Sequence, residues 1–503
     1  MLANPVAEAD HLLHELVVRE RGEVVIGGNH ATSLSGAAPG RPFQRRFSQS
    51  GDDHVMHPSL SSPRTSATPT RTVIAAAVVL ALVAAACGDG SDDSSATNTG
   101  PPATSAPAVI APTTGPTGLK EIDPAAFQAL VDTTMEDMLV PGAVVLLRTP
   151  QSEVVASYGT TELGAETPPD ADTHFRIASI TKTMTSAAIL QLAQEGKLAL
   201  DDLVSRYVPD VPDGDNITIA QLLEMRSGLY SYTDAPEISA SMDDDPDKAW
   251  TPQELLDIAF AQPAMFAPGS EYYYSNTNYV LLGLIIEELD GRPLGESYEQ
   301  RLWEPLGMTN TTLPAADSSA IPDPYSHGYL YGGASHVMME TPYTPEEAAE
   351  AKAGTLQPTD FTDANPSFGW AAGGVISTAA DLATWIKALA SGEVLDPEYQ
   401  QIWQDSTQVI DPNNTYNWYG YGIDQLRWGP NILDIHGGQT PGYNSEAAYD
   451  PANDVTLIIW ANLTKSLDNT WTAADMMLKA LDQIYAMSPL PPTATTTTTA
   501  AAG

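Results

Sequence analysis

Residues 175–182 read Phe-Arg-Ile-Ala-Ser-Ile-Thr-Lys, and they run into an apolar-periodic stretch through Met184, Ala187, Ala188, Ile189 and Leu192. This spacing predicts a helix, with Glu195-Gly196 as its C-terminal stop. A helix that begins near Ser179 carries Lys182 one turn on, on the same face. The pairing has a chemical purpose. A serine hydroxyl is a weak nucleophile until a neighbouring base accepts its proton. A lysine within hydrogen-bond reach accepts that proton when neutral, or eases its departure when charged. The first turn of a helix also points backbone N–H groups at developing negative charge. Taken alone, Ser-x-x-Lys is weak, because about one or two arise by chance in a chain this long. An ordinary helix start with a solvated lysine would leave the same letters, so the rest of the chain has to decide.

Upstream, Phe127, Leu130, Val131, Met135 and Met138 recur at helical spacing. Two β-rich runs follow, Ala143–Arg148 and Glu153–Ser157, and Thr149–Ser152 between them suits a hairpin turn. Downstream of Ser179 the chain is α-rich until about Tyr419. Candidate strands then return at Gly420–Leu426, Ser445–Tyr449 and Val455–Ala461, and an amphipathic helix over about Thr470–Tyr485 closes the pattern. Strands at both ends with helices between them imply an α/β (α+β) chain. Its central sheet is expected to be mostly antiparallel and flanked by helices, with an α-rich inserted subdomain.

The two ends of the chain have a different character. From Gly88 to about residue 118 the composition is Ser, Thr, Pro, Ala, Asp and Gly, and it reads as a linker that cannot bury enough surface to fold. Residues 488–503 are low-complexity and read as a tail. The folded part is therefore expected over residues 119–487. Val73 to Ala86 is uncharged and apolar, preceded by Arg64 and Arg71 and closed by Ala84-Ala85-Ala86-Cys87. It is too short to span a bilayer and has the build of a signal peptide over residues 56–87. Cys87 directly after the small residues resembles a bacterial lipoprotein signal, in which that cysteine is lipidated; a plain secretory signal is the alternative. Met56 would supply a conventional start, which leaves residues 1–55 as an extension or a mis-assigned start. The expected location is extracellular, with membrane contact through a lipid anchor at Cys87.

Charge narrows the partners. The 503 residues carry 22 Lys and Arg against 64 Asp and Glu, a formal net charge of −42. Residues 1–87 hold seven of each sign, so the acidic excess lies entirely after Cys87. Such a surface repels phosphate backbones, and nucleic acid is excluded as a partner. One cysteine forms neither an internal disulfide nor a Cys-based zinc site.

Two further motifs give Ser179 its context. Glu271–Tyr279 contains Tyr274-Ser275-Asn276, and Asp434–Gln439 contains His436-Gly437-Gly438. With Ser179-x-x-Lys182 these stand in the order found in the penicillin-recognising serine hydrolases, which the chain resembles: D-alanyl-D-alanine carboxypeptidases, class C β-lactamases and related esterases. Ile217–Leu223, Leu302–Met308 and Ala372–Asp381 resemble that family too, so the likeness spans about residues 120–485. The resemblance implies that Ser179 forms an acyl-enzyme. It implies that Lys182 and Tyr274 shuttle the proton to the leaving group, that Asn276 holds the substrate amide, and that His436 orients the substrate or tunes the proton network. The oxyanion hole would be the backbone N–H groups of Ser179 and Gln439, with Gly437 and Gly438 admitting substrate to the strand edge. The packing alternatives are a structural Tyr274 in an aromatic cluster and a turn residue at His436.

The His-headed third motif favours a D-alanyl-D-alanine carboxypeptidase-like activity. A β-lactamase, an esterase and a penicillin sensor without turnover remain open. The expected substrates are a small peptide, a β-lactam or an ester, met by a monomer without cofactor or metal. There is no Gly-x-Ser-x-Gly elbow, no His-Glu-x-x-His and no Gly-x-Gly-x-x-Gly. His174, His327 and His336 are scattered, Asp243-Asp244-Asp245 reads as a solvated loop, and Thr378-x-x-Asp381 reads as a capping box. The acidic, Pro-rich stretch Met339–Pro366 is expected to form part of the cleft wall.

Overall fold

The computed structural model describes residues 118–411 and 414–487. The expectations for residues 1–117 and 488–503, Cys87 among them, lie outside the described residues. Asp123 opens helix α1 (Pro124–Asp137) by accepting from the N–H groups of Ala125 and Ala126, with Pro124 placed where a missing N–H costs nothing. Its buried face is Phe127, Val131, Thr134 and Met135, the spacing legible in the sequence. Strands β1 (Gly142–Arg148) and β2 (Glu153–Gly159) then form the expected hairpin. In β2, Val154 and Ala156 are buried while Glu153 and Val155 face solvent, as befits an edge.

The later strands are β3 (Gln408–Asp411), β4 (Asn414–Tyr419), β5 (Asp424–Trp428), β6 (Asn431–Thr440), β7 (Tyr443–Asp450) and β8 (Val455–Ala461). They join the hairpin in one antiparallel sheet ordered β2-β1-β8-β7-β6-β5-β4-β3. The mixed fold with an antiparallel sheet is as the sequence implies. The strand expected at Gly420–Leu426 straddles a turn instead, and β3, β4 and the length of β6 were not anticipated. Every residue of β7 and β8 is buried, so both faces of the central sheet are covered. Helix α5 (Thr472–Ile484), packed with α1, lies against β7 and β8, and α4 (Ala379–Ser391) lies separately against the same strands and β1.

The α-rich region holds α2 (Thr181–Gln194) and α3 (Asn276–Asp290), which pack on each other. In α2 every residue except Gln191 and Gln194 is buried, so this is a core helix enclosed on all sides. Gly196 and Gly291 end the two helices in the left-handed conformation that suits glycine. The link between sheet and helices is residues 175–177. Phe175 stacks on Trp460 of β8 at 4.9 Å, and Phe175–Arg176 pairs with Ile376–Ser377. These contacts fix where the Ser179 turn emerges.

Two local expectations change. Thr378 caps α4 by accepting from the Asp381 N–H, but the Asp381 carboxylate turns to the Asn310 N–H and the Thr311 hydroxyl, so the box is half made. Asp243 and Asp244 close the helix Pro236–Asp244, and the Asp243 carboxylate accepts from the Ala334 N–H at 2.8 Å, which gives that residue a structural task. Among the described residues no helix is long and apolar enough to cross a membrane.

Candidate active site

Ser179 sits in the single 3-10 turn Ala178–Ile180 that leads into α2. Ala178, just before it, holds φ at 47°, a left-handed conformation costing a non-glycine residue about 1–3 kcal/mol. The turn is held by the sheet. Gly438 of β6 lies so close that an added Cβ would meet the Ile177 carbonyl oxygen at 2.1 Å, and the Ser445 hydroxyl donates to that same oxygen at 3.3 Å. Gly438 therefore serves close packing of β6 on the nucleophile turn.

Lys182 is fully buried, and its Nζ donates to Ser179 Oγ at 2.9 Å and to the Ala372 carbonyl at 2.6 Å. The same ammonium stands 4.8 Å from the Tyr274 ring centroid and 5.5 Å from that of Tyr279. Of the three consecutive tyrosines 272–274, Tyr274 is the one bordering the cavity that contains Ser179. Asn276 begins α3, with its N–H on Ser231 Oγ at 3.1 Å and its Nδ2 on Thr233 Oγ1 at 2.9 Å, which fixes its side chain at the cavity wall. Gln439 of β6 borders the same cavity from the sheet side. The structure thus brings Ser179, Tyr274, Asn276 and Gln439 around one space, with Lys182 beneath it.

His436 is placed differently. It is 2% exposed and borders an adjoining cavity with Gly437; Tyr274, Gln439 and Trp471 border both cavities. Its ring lies 6.5 Å from that of Tyr274. Nδ1 is 2.7 Å from the Gly437 carbonyl, an oxygen that can only accept, so Nδ1 carries the proton. Nε2 is left to accept from the Tyr419 hydroxyl at 3.4 Å. Burial, and then the nearby Lys182 charge, push the imidazole down to about 3, so it is neutral at physiological pH. Burial drives the Tyr419 hydroxyl upward, which keeps it a donor.

Several neighbours escaped the sequence. The Ala372 carbonyl carries no side-chain signature, although the Ala372-Gly373-Gly374 stretch stood out on other grounds. Tyr232, Met338, Phe368 and Trp471 complete the cavity wall from separate loops and helices. Of the stretch Met339–Pro366, Glu340 borders the cavity. His174, His327 and His336 contact Pro324, Asp360 and Thr341, and none of the three borders the cavity that contains Ser179. Among the described residues no group of three His, Cys, Asp or Glu side chains is arranged to hold a metal ion.

A family model described as Beta-lactamase matches residues 127–480. The chain is 26% identical over 366 residues to the unguisins hydrolase ungD' of Aspergillus campestris, covering 69% of this chain and 63% of that protein. It is 27% identical over 359 residues to protein flp of Staphylococcus aureus, covering 67% of this chain and 63% of that protein. The chain accordingly spans less than two thirds of the length of these curated relatives. Among solved structures, a D-stereospecific amidohydrolase from Streptomyces sp. superimposes with a TM-score of 0.61 at 30% identity, covering 71% of this chain and 98% of that one.

Proposed function

Because this chain belongs to the Beta-lactamase family of serine hydrolases, we propose that it cleaves an amide or ester carbonyl through an acyl-enzyme on Ser179. The observation that carries this reading is the 2.9 Å contact between the buried Lys182 amine and Ser179 Oγ, beside the Tyr274 ring in an open cleft. In this reading Ser179 Oγ attacks the substrate carbonyl, and its proton passes into the Lys182–Tyr274 pair. The oxyanion faces the backbone N–H groups of Ser179 and Gln439; losing one such donor typically costs about 3 kcal/mol of barrier. Tyr274 delivers the proton to the leaving group, and water then releases the acyl chain. Neutral His436 borders the adjoining cavity with its ring 6.5 Å from that of Tyr274, where it sets the surroundings of the proton path.

For the substrate we propose a bond on the carbonyl side of a D-residue. Similarity to a D-stereospecific amidohydrolase supports this, as does the resemblance to D-alanyl-D-alanine carboxypeptidases. A panel of D- and L-phenylalanine amide, N-acetyl-D-alanyl-D-alanine, nitrocefin and p-nitrophenyl acetate, run on wild type and Ser179→Ala, tests both parts. Turnover of a D-amide that vanishes in Ser179→Ala is expected. Turnover that survives the substitution refutes the nucleophile, and preference for the L-enantiomer refutes the substrate class.

We further propose that the chain acts outside the cytoplasm, on the strength of residues 73–87. Partition of the expressed protein into detergent, lost in Cys87→Ser, is the expected behaviour. Unchanged partition would rule out the lipid anchor.

A further inference from the structure

The charges around the catalytic cleft bear on which substrates it admits. Among the described residues bordering the cavity that contains Ser179, Glu340 is the one with a charged side chain. The adjoining cavity, reached past Tyr274 and Gln439, is bordered by Asp424 and Glu446 and by His436. Neither lining includes a lysine or an arginine. Glu446 is 5% exposed, and its Oε1 lies where a Cβ on Gly437 would come within 2.8 Å, so it stands directly against the strand that borders both spaces. Glu340 is held with φ at 52°, an unfavourable conformation for a glutamate at a cleft wall.

Two lysines lie close and are otherwise engaged. Lys182 sits beneath Ser179 on the Ala372 carbonyl. Lys465 is buried behind Trp471, with Nζ on the carbonyls of His336 and Thr341 and under the field of Glu340. His436 presents no cation either, since its Nδ1 proton is spent on Gly437 and its Nε2 accepts from Tyr419.

Whichever cavity takes the leaving group, a free substrate carboxylate would lose its water, meet acidic side chains and find no lysine or arginine in the wall to pair with. Carboxamides, esters and amine-bearing groups suffer no such penalty. We propose that this cleft takes D-residue amides and esters with uncharged or cationic flanks and discriminates against carboxylate-terminated substrates, with Glu340 and Glu446 as its specificity-determining residues. The proposal rests on the acyl-enzyme reading above, and it favours an amidase or aminopeptidase over the carboxypeptidase expected from the His-headed motif.

The test uses two aryl esters of N-acetyl-D-alanine that differ in one group, a m-carbamoylphenyl and a m-carboxyphenyl leaving group. The full chain is assayed beside Ser179→Ala. The carbamoyl ester is expected to show at least a tenfold higher kcat/KM. Glu446→Gln and Glu340→Gln are each expected to narrow that ratio at least threefold, and two variants protect the result should one fold poorly. Equal rates, or a preference for the carboxylate, would overturn the charge inference while leaving Ser179 as nucleophile. A ratio unmoved in both folded variants would overturn the assignment of the two glutamates. Wild-type hydrolysis no faster than Ser179→Ala would overturn the acyl-enzyme reading and this inference with it.

Discussion

Lys182 bears the largest chemical demand of any side chain in the molecule. It is buried, and its ammonium is shared between Ser179 Oγ and the Ala372 carbonyl. Lys182→Met keeps the apolar stem and removes the amine, so kcat/KM is expected to fall by about 10²–10⁴. The Ala372 carbonyl then loses a donor, which costs about 1–3 kcal/mol of stability. Steady-state kinetics paired with urea melts separate the two effects, and a variant within threefold of wild-type activity would remove Lys182 from the proton path. A second buried group on the same strand as His436 sets a pH signature. Burial raises Asp434 from 3.8 to about 6, against a hydrogen bond from Gln425. The folded state therefore binds the proton more tightly than the unfolded one. Stability falls as pH rises from about 3.8 to about 6, and the cost is complete above that window. His436 works in the opposite sense: its folded value of about 3 lies below that of a free imidazole, so its contribution is intact above 6.5 and lost as pH falls toward 3. Asp434→Asn isolates the first effect. It is expected to stabilise the protein by about 3 kcal/mol at pH 7 and by almost nothing at pH 3, read from urea midpoints. Destabilisation at pH 7 would contradict this.

The element that positions the chemistry is β6, which carries His436 to Gln439 and packs through Gly438 on the turn holding Ser179. Gly438→Ala puts a methyl group 2.1 Å from the Ile177 carbonyl, a contact that neither backbone can tolerate in place. Separation of strand and turn is expected, with a loss of about 2–4 kcal/mol in stability and at least 10²-fold in activity. Thermal melts and kinetics read both, and a fully active variant would show the packing to be looser than the structure has it. The elements themselves were unequally legible. The hairpin β1–β2 and helices α1 and α5 announce themselves because their apolar residues recur at the period of the element. Strand β5 starts later than expected because Gly422, with φ at 67°, turns the chain before Asp424. Strand β3 is the sheet edge and β4 its neighbour, and neither carries an apolar run long enough to mark it. For the site, Ser179, Lys182, Tyr274 and Asn276 follow from motifs of side chains, and Gln439 from its place directly after the third motif. The Ala372 carbonyl does not, because a backbone group leaves no trace in residue identity. Tyr232 and Trp471 reach the cleft through tertiary convergence alone. The motif marks His436 too, but its place in the adjoining cavity and not in the one that contains Ser179 is decided by how β6 lies in the sheet.

At the scale of the whole molecule, the first and last described segments meet around one sheet: Lys120 N–H bonds the Ile484 carbonyl, and β1 pairs with β8. The α+β class was readable because strands cluster toward both ends of residues 119–487 and helices lie between them. The strand order was not, since pairing of β1 with β8 is decided by long-range packing. The net charge of −42 imposes its own physics. Self-repulsion at low salt opposes the compact state, and screening over about 10 Å at 0.1 M relieves it. The melting temperature is expected to rise by several degrees between 10 mM and 500 mM NaCl. A flat or falling response would mean that acidic pairs are already neutralised by specific contacts. The account stands above all on Ser179 as the atom that becomes acylated. Incubation of the full chain with a fluorescent penicillin or a fluorophosphonate, followed by peptide mass spectrometry, tests it directly. A single adduct on the peptide containing Ser179, absent from Ser179→Ala and strongly slowed in Lys182→Met, is the expected result. An adduct on another residue, or undiminished labelling of Ser179→Ala, would contradict it.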